Sequence, residues 1–152
     1  MKQILKKAPI LFLVSFSLIG CTSKEQRLLK DVEKHSGIKY LTTSKILFSY
    51  SKITGFEDRA GPVYYVLDYT NSDKKDEFVS LYFKNNSGKN SDFETKVDEF
   101  IEEEILGAYS SFDDQYKLDF DKPYSYYSSE KLFLIYYQET STAYFLYHLW
   151  IP

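Results

Sequence analysis

The sequence predicts an α+β fold, a mostly antiparallel sheet of about five to six strands with two helices packed on one face. Three observations predict it. Residues 132–138 and 143–151 are apolar on both faces and flank the polar turn Glu139-Thr140-Ser141-Thr142, the pattern of a hairpin at the centre of a sheet. Residues 24–35 and 91–107 instead carry their apolar side chains at helical spacing. The other extended segments follow one another through short turns, which joins neighbours antiparallel and gives the order α, β, β, β, α, β, β, β.

The first helix follows from Leu28, Leu29 and Val32 on one face, with Arg27, Lys30, Asp31, Glu33 and Lys34 opposite and Gly37 as its stop. Residues 45–53 alternate, so Ile46, Phe48 and Tyr50 are expected to share a side. Residues 55–62 read as a charged, glycine-containing loop. Residues 62–70 form the strongest strand, with Val63, Tyr65, Leu67 and Tyr69 on one face. Residues 71–76 have turn composition, so Phe-Val-Ser-Leu-Tyr-Phe-Lys at 78–84 is expected to return as a hairpin partner. Ser91 and Glu94 make a capping-box pattern for the second helix. Its apolar stripe is Phe93, Val97, Phe100, Ile101, Ile105 and Leu106, closed by Gly107. Tyr116, Leu118 and Phe120 alternate with Lys117, Asp119 and Asp121, a half-buried strand that Pro123 breaks.

The first 21 residues are of another kind. Lys2, Lys6 and Lys7 precede an uncharged run from Ala8 to Gly20, which ends at Cys21, the only cysteine. The run fits the ~7–15 residues of a signal-peptide core and falls short of the ~20 that a helix needs to cross a bilayer. Its end, Leu18-Ile19-Gly20-Cys21, resembles the lipobox of bacterial lipoproteins. That resemblance covers residues 1–21 alone. It implies cleavage between Gly20 and Cys21, a diacylglyceryl group on the cysteine sulfur and an acyl chain on the new amino terminus. Residues 1–20 are then a signal peptide, 21–26 a lipidated tether and 27–152 a single domain at the extracytoplasmic face of the cell membrane. Paired acyl chains anchor stably where a single chain binds reversibly.

Cleavage leaves about 132 residues, enough for one domain. Without Lys2, Lys6 and Lys7, 16 basic residues face 22 acidic ones, a net charge of −6. Such a domain is repelled by an anionic bilayer, so the lipid must hold it there. The same charge argues against nucleic acid, which needs a Lys/Arg footprint. A lipidated Cys21 leaves no disulfide and no thiol chemistry, and no cofactor is expected beyond the covalent lipid. His35 and His148 lie far apart with no His-Glu-x-x-His spacing, so no metal site is expected, and no Gly-x-Ser-x-Gly turn announces a serine nucleophile.

Three clusters remain. Asp113/Asp114 and Asp119/Asp121 are the pairs that carboxylate chemistry would use; the last two are expected ~7 Å apart on one strand face. Glu102, Glu103 and Glu104 put three negative charges in the last turn of a helix without a nearby lysine, where the dipole disfavours each by a few tenths of a kcal/mol, and so suggest a basic partner. Tyr124, Tyr126 and Tyr127, beside Tyr109 and Tyr116, offer a recognition surface for a sugar face or a protein. The expected role is therefore binding, with an envelope protein, a toxin or a cell-wall glycan as partner; an immunity-type protein is one version. The alternative is a carboxylate-dependent envelope hydrolase, and a third reading is a structural accessory subunit. Acids converging in a pocket would favour the hydrolase, and an exposed tyrosine patch the binding module.

Overall fold

The computed structural model describes residues 23–53 and 59–152. The expectations placed on the signal peptide, Gly20 and Cys21 lie outside them. Five strands, β1 (Lys45–Ser51), β2 (Arg59–Asp68), β3 (Ser125–Ser129), β4 (Leu132–Tyr137) and β5 (Thr142–Ile151), form one antiparallel sheet in the order β1-β2-β5-β4-β3. The fold is α+β, as the hairpin and the helical stripes predict. β5 lies at the centre, because Phe145 and Leu146 each need cover and only a strand flanked on both edges receives it on both faces.

The helices are α1 (Lys24–Ser36), α2 (Lys75–Tyr82) and α3 (Ser91–Phe100). They do not share one face. α1 and α2 bury Leu29, Val32 and Phe78 against Val63, Tyr65, Leu67, Leu134 and Phe145. α3 buries Phe93, Val97 and Phe100 against Tyr64, Val66, Phe133, Ile135 and Leu146. A sheet that is apolar on both sides requires a layer on each. α1 starts at Lys24, inside the segment expected to be tether; the Ser23 hydroxyl caps it by accepting from the Gln26 amide at 3.2 Å. Gly37, at φ 73°, ends it in the left-handed region.

Four local expectations change. Residues 78–84 are not a strand: Phe78 and Tyr82 are also one helical turn apart, and they stack edge-on at 5.4 Å on α2, with Asp76 and Glu77 in its first turn. In β1 the register shifts between Ile46 and Phe48, so Leu47 is a bulge. Ile46 therefore packs in the first core, while Phe48 and Tyr50 pack in the second. The cap of α3 is Asn90, not Ser91; its Oδ1 accepts from the Phe93 amide at 2.9 Å. Residues 116–120 form no strand, and a short 3₁₀ turn (Asp114–Tyr116) leads into an irregular segment. No described helix is long and apolar enough to cross a membrane.

Candidate functional site

After α3 the helix widens into a π turn (Ile101–Ile105) and closes with an α turn (Leu106–Tyr109), running past Gly107. Phase explains the π turn. At about 100° per residue, a regular helix would swing Glu104 to within ~20° of Val97, in the middle of the buried face. One extra residue in the turn holds that rotation back. Ile105 is buried instead, and Glu104 comes to the margin. There its Oε2 lies 3.1 Å from His148 Nδ1 and its Oε1 4.0 Å from Lys131 Nζ. A proton on His148 Nδ1 makes the first contact a hydrogen bond, whereas the other neutral tautomer sets two acceptors face to face. Glu104 is thus met by two basic groups, one on β5 and one in the β3–β4 turn, contrary to the expectation of three glutamates without one. Glu102 and Glu103 are exposed.

The three candidate tyrosines form no common surface. Tyr124 is buried, donating to Glu94 Oε1 at 2.8 Å and accepting from the Asn90 amide at 3.0 Å. Tyr126 and Tyr127 alternate along β3 and point to opposite faces, the first onto Phe93 at 4.5 Å and the second onto Tyr82 at 5.2 Å. They are half-buried packing residues.

What the chain does build is a cleft of about 500 Å³ at the end of the sheet where β5 begins. One wall is the segment from Asp114 to Pro123; the other comprises Leu47, Val66, Tyr137, Tyr144 and the β4–β5 turn with Glu139 and Thr140. Tyrosine hydroxyls pin the first wall to the sheet. Tyr64 donates to the Tyr116 carbonyl at 2.7 Å and Tyr144 to the Gln115 carbonyl at 3.2 Å. Tyr137 donates to the Asp119 carbonyl at 3.1 Å and accepts from the Asp119 amide at 3.2 Å. Tyr109 accepts from the Leu118 amide at 2.9 Å. Side chains thus take the backbone groups that a neighbouring strand would have taken. Burial raises the phenols of Tyr64, Tyr137 and Tyr144 above their ordinary range, which keeps them protonated donors.

The cleft holds two of the four aspartates that sequence pairs suggested. Asp114 is open to solvent and meets Lys117 at 2.9 Å; Asp119 is half-exposed and meets Lys122 at 3.3 Å. Asp113 caps the 3₁₀ turn, accepting from the Gln115 amide at 3.1 Å. Asp121 donates its amide to Asp119 Oδ1 at 3.1 Å, a local turn in place of the expected strand face. The sequence reading missed Tyr64, Tyr137, Tyr144 and Leu47. Tyrosines at interior positions of otherwise apolar strands were the available signal, because a buried hydroxyl needs a partner. No group of three potential ligands could hold a metal ion among the described residues. Compared with protein-family models, with curated proteins and with solved structures, the chain finds no match in any of the three.

Proposed function

We propose that the protein is a lipid-anchored domain at the extracytoplasmic face of the cell membrane that acts by binding. The cleft is its site, and a segment of an envelope protein or a glycan is its occupant. The lipobox-like end at Cys21 supports the address. The pinned wall supports the role: five hydrogen bonds from four tyrosines fix a polar and aromatic surface before any ligand arrives, which lowers the ordering cost of binding. A general-acid carboxyl is usually made by apolar enclosure. Asp114 and Asp119 are open to water and each faces an ammonium group.

Two variants test the reading. Leu47→Arg and Thr140→Arg fill the cleft from exposed rim positions. Each is expected to abolish recovery of the wild-type partner from detergent-solubilised membranes, with membrane fractionation and circular dichroism unchanged. Undiminished recovery by both would refute the cleft as the site. Cys21→Ala is expected to leave an uncleaved precursor that takes up no fatty-acid probe, and continued labelling would refute the anchor. One observation favours the hydrolase as a second reading: Asp114, Asp119 and Glu139 border the same cleft. On that reading Asp119→Asn loses turnover of envelope glycan while the glycan still binds.

A further inference from the structure

On the face of the sheet that α1 covers, a gap remains beside the edge strand β1. Lys24, Glu25 and Leu28 of α1 and Ser49, Ser51 and Tyr65 of the sheet line a hollow there of about 150 Å³. The register explains why hydroxyls meet in it. Ser49 on β1 pairs with Tyr65 on β2, and directly opposite residues of an antiparallel pair project from the same face. Ser51 follows two residues on, so it projects from that face too. Ile46, on the other side of the bulge, packs into the first core, whereas serines at 49 and 51 leave their part of that face unfilled.

The polar groups of this hollow have no partners in the fold. Tyr65 is fully buried, and its hydroxyl has no hydrogen-bond partner among the described residues. Tyr64, Tyr137 and Tyr144, by contrast, each donate to a backbone carbonyl. The side chains of Lys24, Glu25, Ser49 and Ser51 likewise make no hydrogen bond or ion pair among the described residues. Burial raises the phenol of Tyr65, and the carboxylate of Glu25 raises it further, which sets the hydroxyl near the Glu25 side of the hollow as a protonated donor. A buried hydroxyl without a partner costs ~1–3 kcal/mol, and a ligand that meets it recovers that cost.

The donor and acceptor set defines the ligand. Lys24 and Glu25 cancel in charge, so a lone ion attracted by one is repelled by the other. The ammonium group only donates, the carboxylate only accepts, and each of the three hydroxyls does both. A neutral molecule rich in hydroxyls answers all of them. A hollow of about 150 Å³ is several times the ~30 Å³ share of one water and smaller than the ~300–1,000 Å³ of a drug-sized pocket, so it has room for one small ring.

We propose that the hollow between α1 and β1 is a binding site for a single neutral sugar unit of a glycan. The Tyr65 hydroxyl is its floor, reached when the exposed side chains of Lys24 and Glu25 turn aside. Tyr65 belongs to the first core, and Tyr64 and Tyr144 of the cleft to the second, so the two sites use opposite faces of the sheet and this one stands independently of the cleft.

Isotope-labelled full-length protein, purified in a detergent without a sugar headgroup, tests this by its amide shifts on titration with N-acetylglucosamine and with glucose. Shifts are expected to concentrate at residues 24–28, 49–51 and 65. Tyr65→Phe and Ser49→Ala are each expected to weaken binding roughly 2–10-fold, the worth of one hydrogen bond, with circular dichroism unchanged. No shift at these residues with either sugar means that water alone fills the hollow, and overturns the proposal. Sugar shifts confined to residues 114–123 overturn it as well and leave the cleft reading standing. Equal shifts at the hollow from sodium phosphate or from alanine assign it to a charged ligand and overturn the sugar. Binding by both variants as tight as by wild type overturns the proposed contacts, and the site with them.

Discussion

The fold is expected to fail in alkali, in a way that follows from its buried phenols. Tyr64, Tyr65 and Tyr69 are each 0% exposed, and burial is the largest cause raising all three above the ordinary value of 10.0. In the unfolded chain these phenols ionise near that ordinary value; in the folded chain they keep their protons. A group whose pKa is raised by folding contributes its full stability below the unfolded pKa and loses it as pH climbs above. Each phenol therefore removes about 1.4 kcal/mol per pH unit above 10, and three together about 4 kcal/mol per unit. A fold at the lower end of the ~5–15 kcal/mol range is then lost between about pH 11 and 12. Tyrosinate absorbance and far-ultraviolet circular dichroism, followed in one titration, read this out. Exposed phenols should titrate first with the dichroism intact, and the buried ones should then ionise together as it collapses. Tyr65→Phe separates the cause from general charge repulsion. Its hydroxyl has no hydrogen-bond partner among the described residues, so the substitution is neutral or stabilising by up to ~1–2 kcal/mol at pH 7, and it lowers the alkaline slope by about a third. All fifteen tyrosines titrating on one smooth curve near 10, with the dichroism retained, would refute the reasoning.

Three further outcomes are expected. Gly61→Ala drives a Cβ into the Lys52 carbonyl at the β1–β2 pairing, so chemical denaturation should show a loss above about 1 kcal/mol. Asp98 has its carboxyl raised by partial burial and then by Glu102 and Glu94, so the fold loses stability as pH rises through the usual aspartate range, and Asp98→Asn should gain ~0.2–0.5 kcal/mol per relieved i,i+4 pair at pH 7. Deleting Glu102 should return the π turn to α phase and stay within about 1 kcal/mol of wild type in thermal melts, whereas deleting Thr95 rotates Val97, Phe100 and Ile101 out of the core by about 100° and should unfold the domain.

What was legible in the sequence is what a single period decides. Val63, Tyr65, Leu67 and Tyr69 could only share a strand face, and residues 132–151 could only be a central hairpin. Phe-Val-Ser-Leu-Tyr-Phe fits both periods over six residues, and the polar turn before it served equally as the start of α2. β3 was invisible because Ser-Tyr-Tyr-Ser-Ser is an edge strand with too little apolar content to announce itself. The alternation at 116–120 was genuine, since Tyr116, Leu118 and Phe120 do pack against the second core. Its backbone partners were tyrosine hydroxyls, three from distant strands and one from the Leu106–Tyr109 turn, which no local pattern can reveal. The bulge at Leu47 and the π turn at Ile101–Ile105 are one-residue phase changes, set by fit to the sheet and not by local propensity.

The same phase changes connect the two ends of the molecule. The bulge turns Leu47 to the rim of the cleft, and the π turn turns Glu104 to the margin beside His148. β5 runs between the two places, since Tyr144 at its start pins the cleft wall while His148, near its end, meets Glu104.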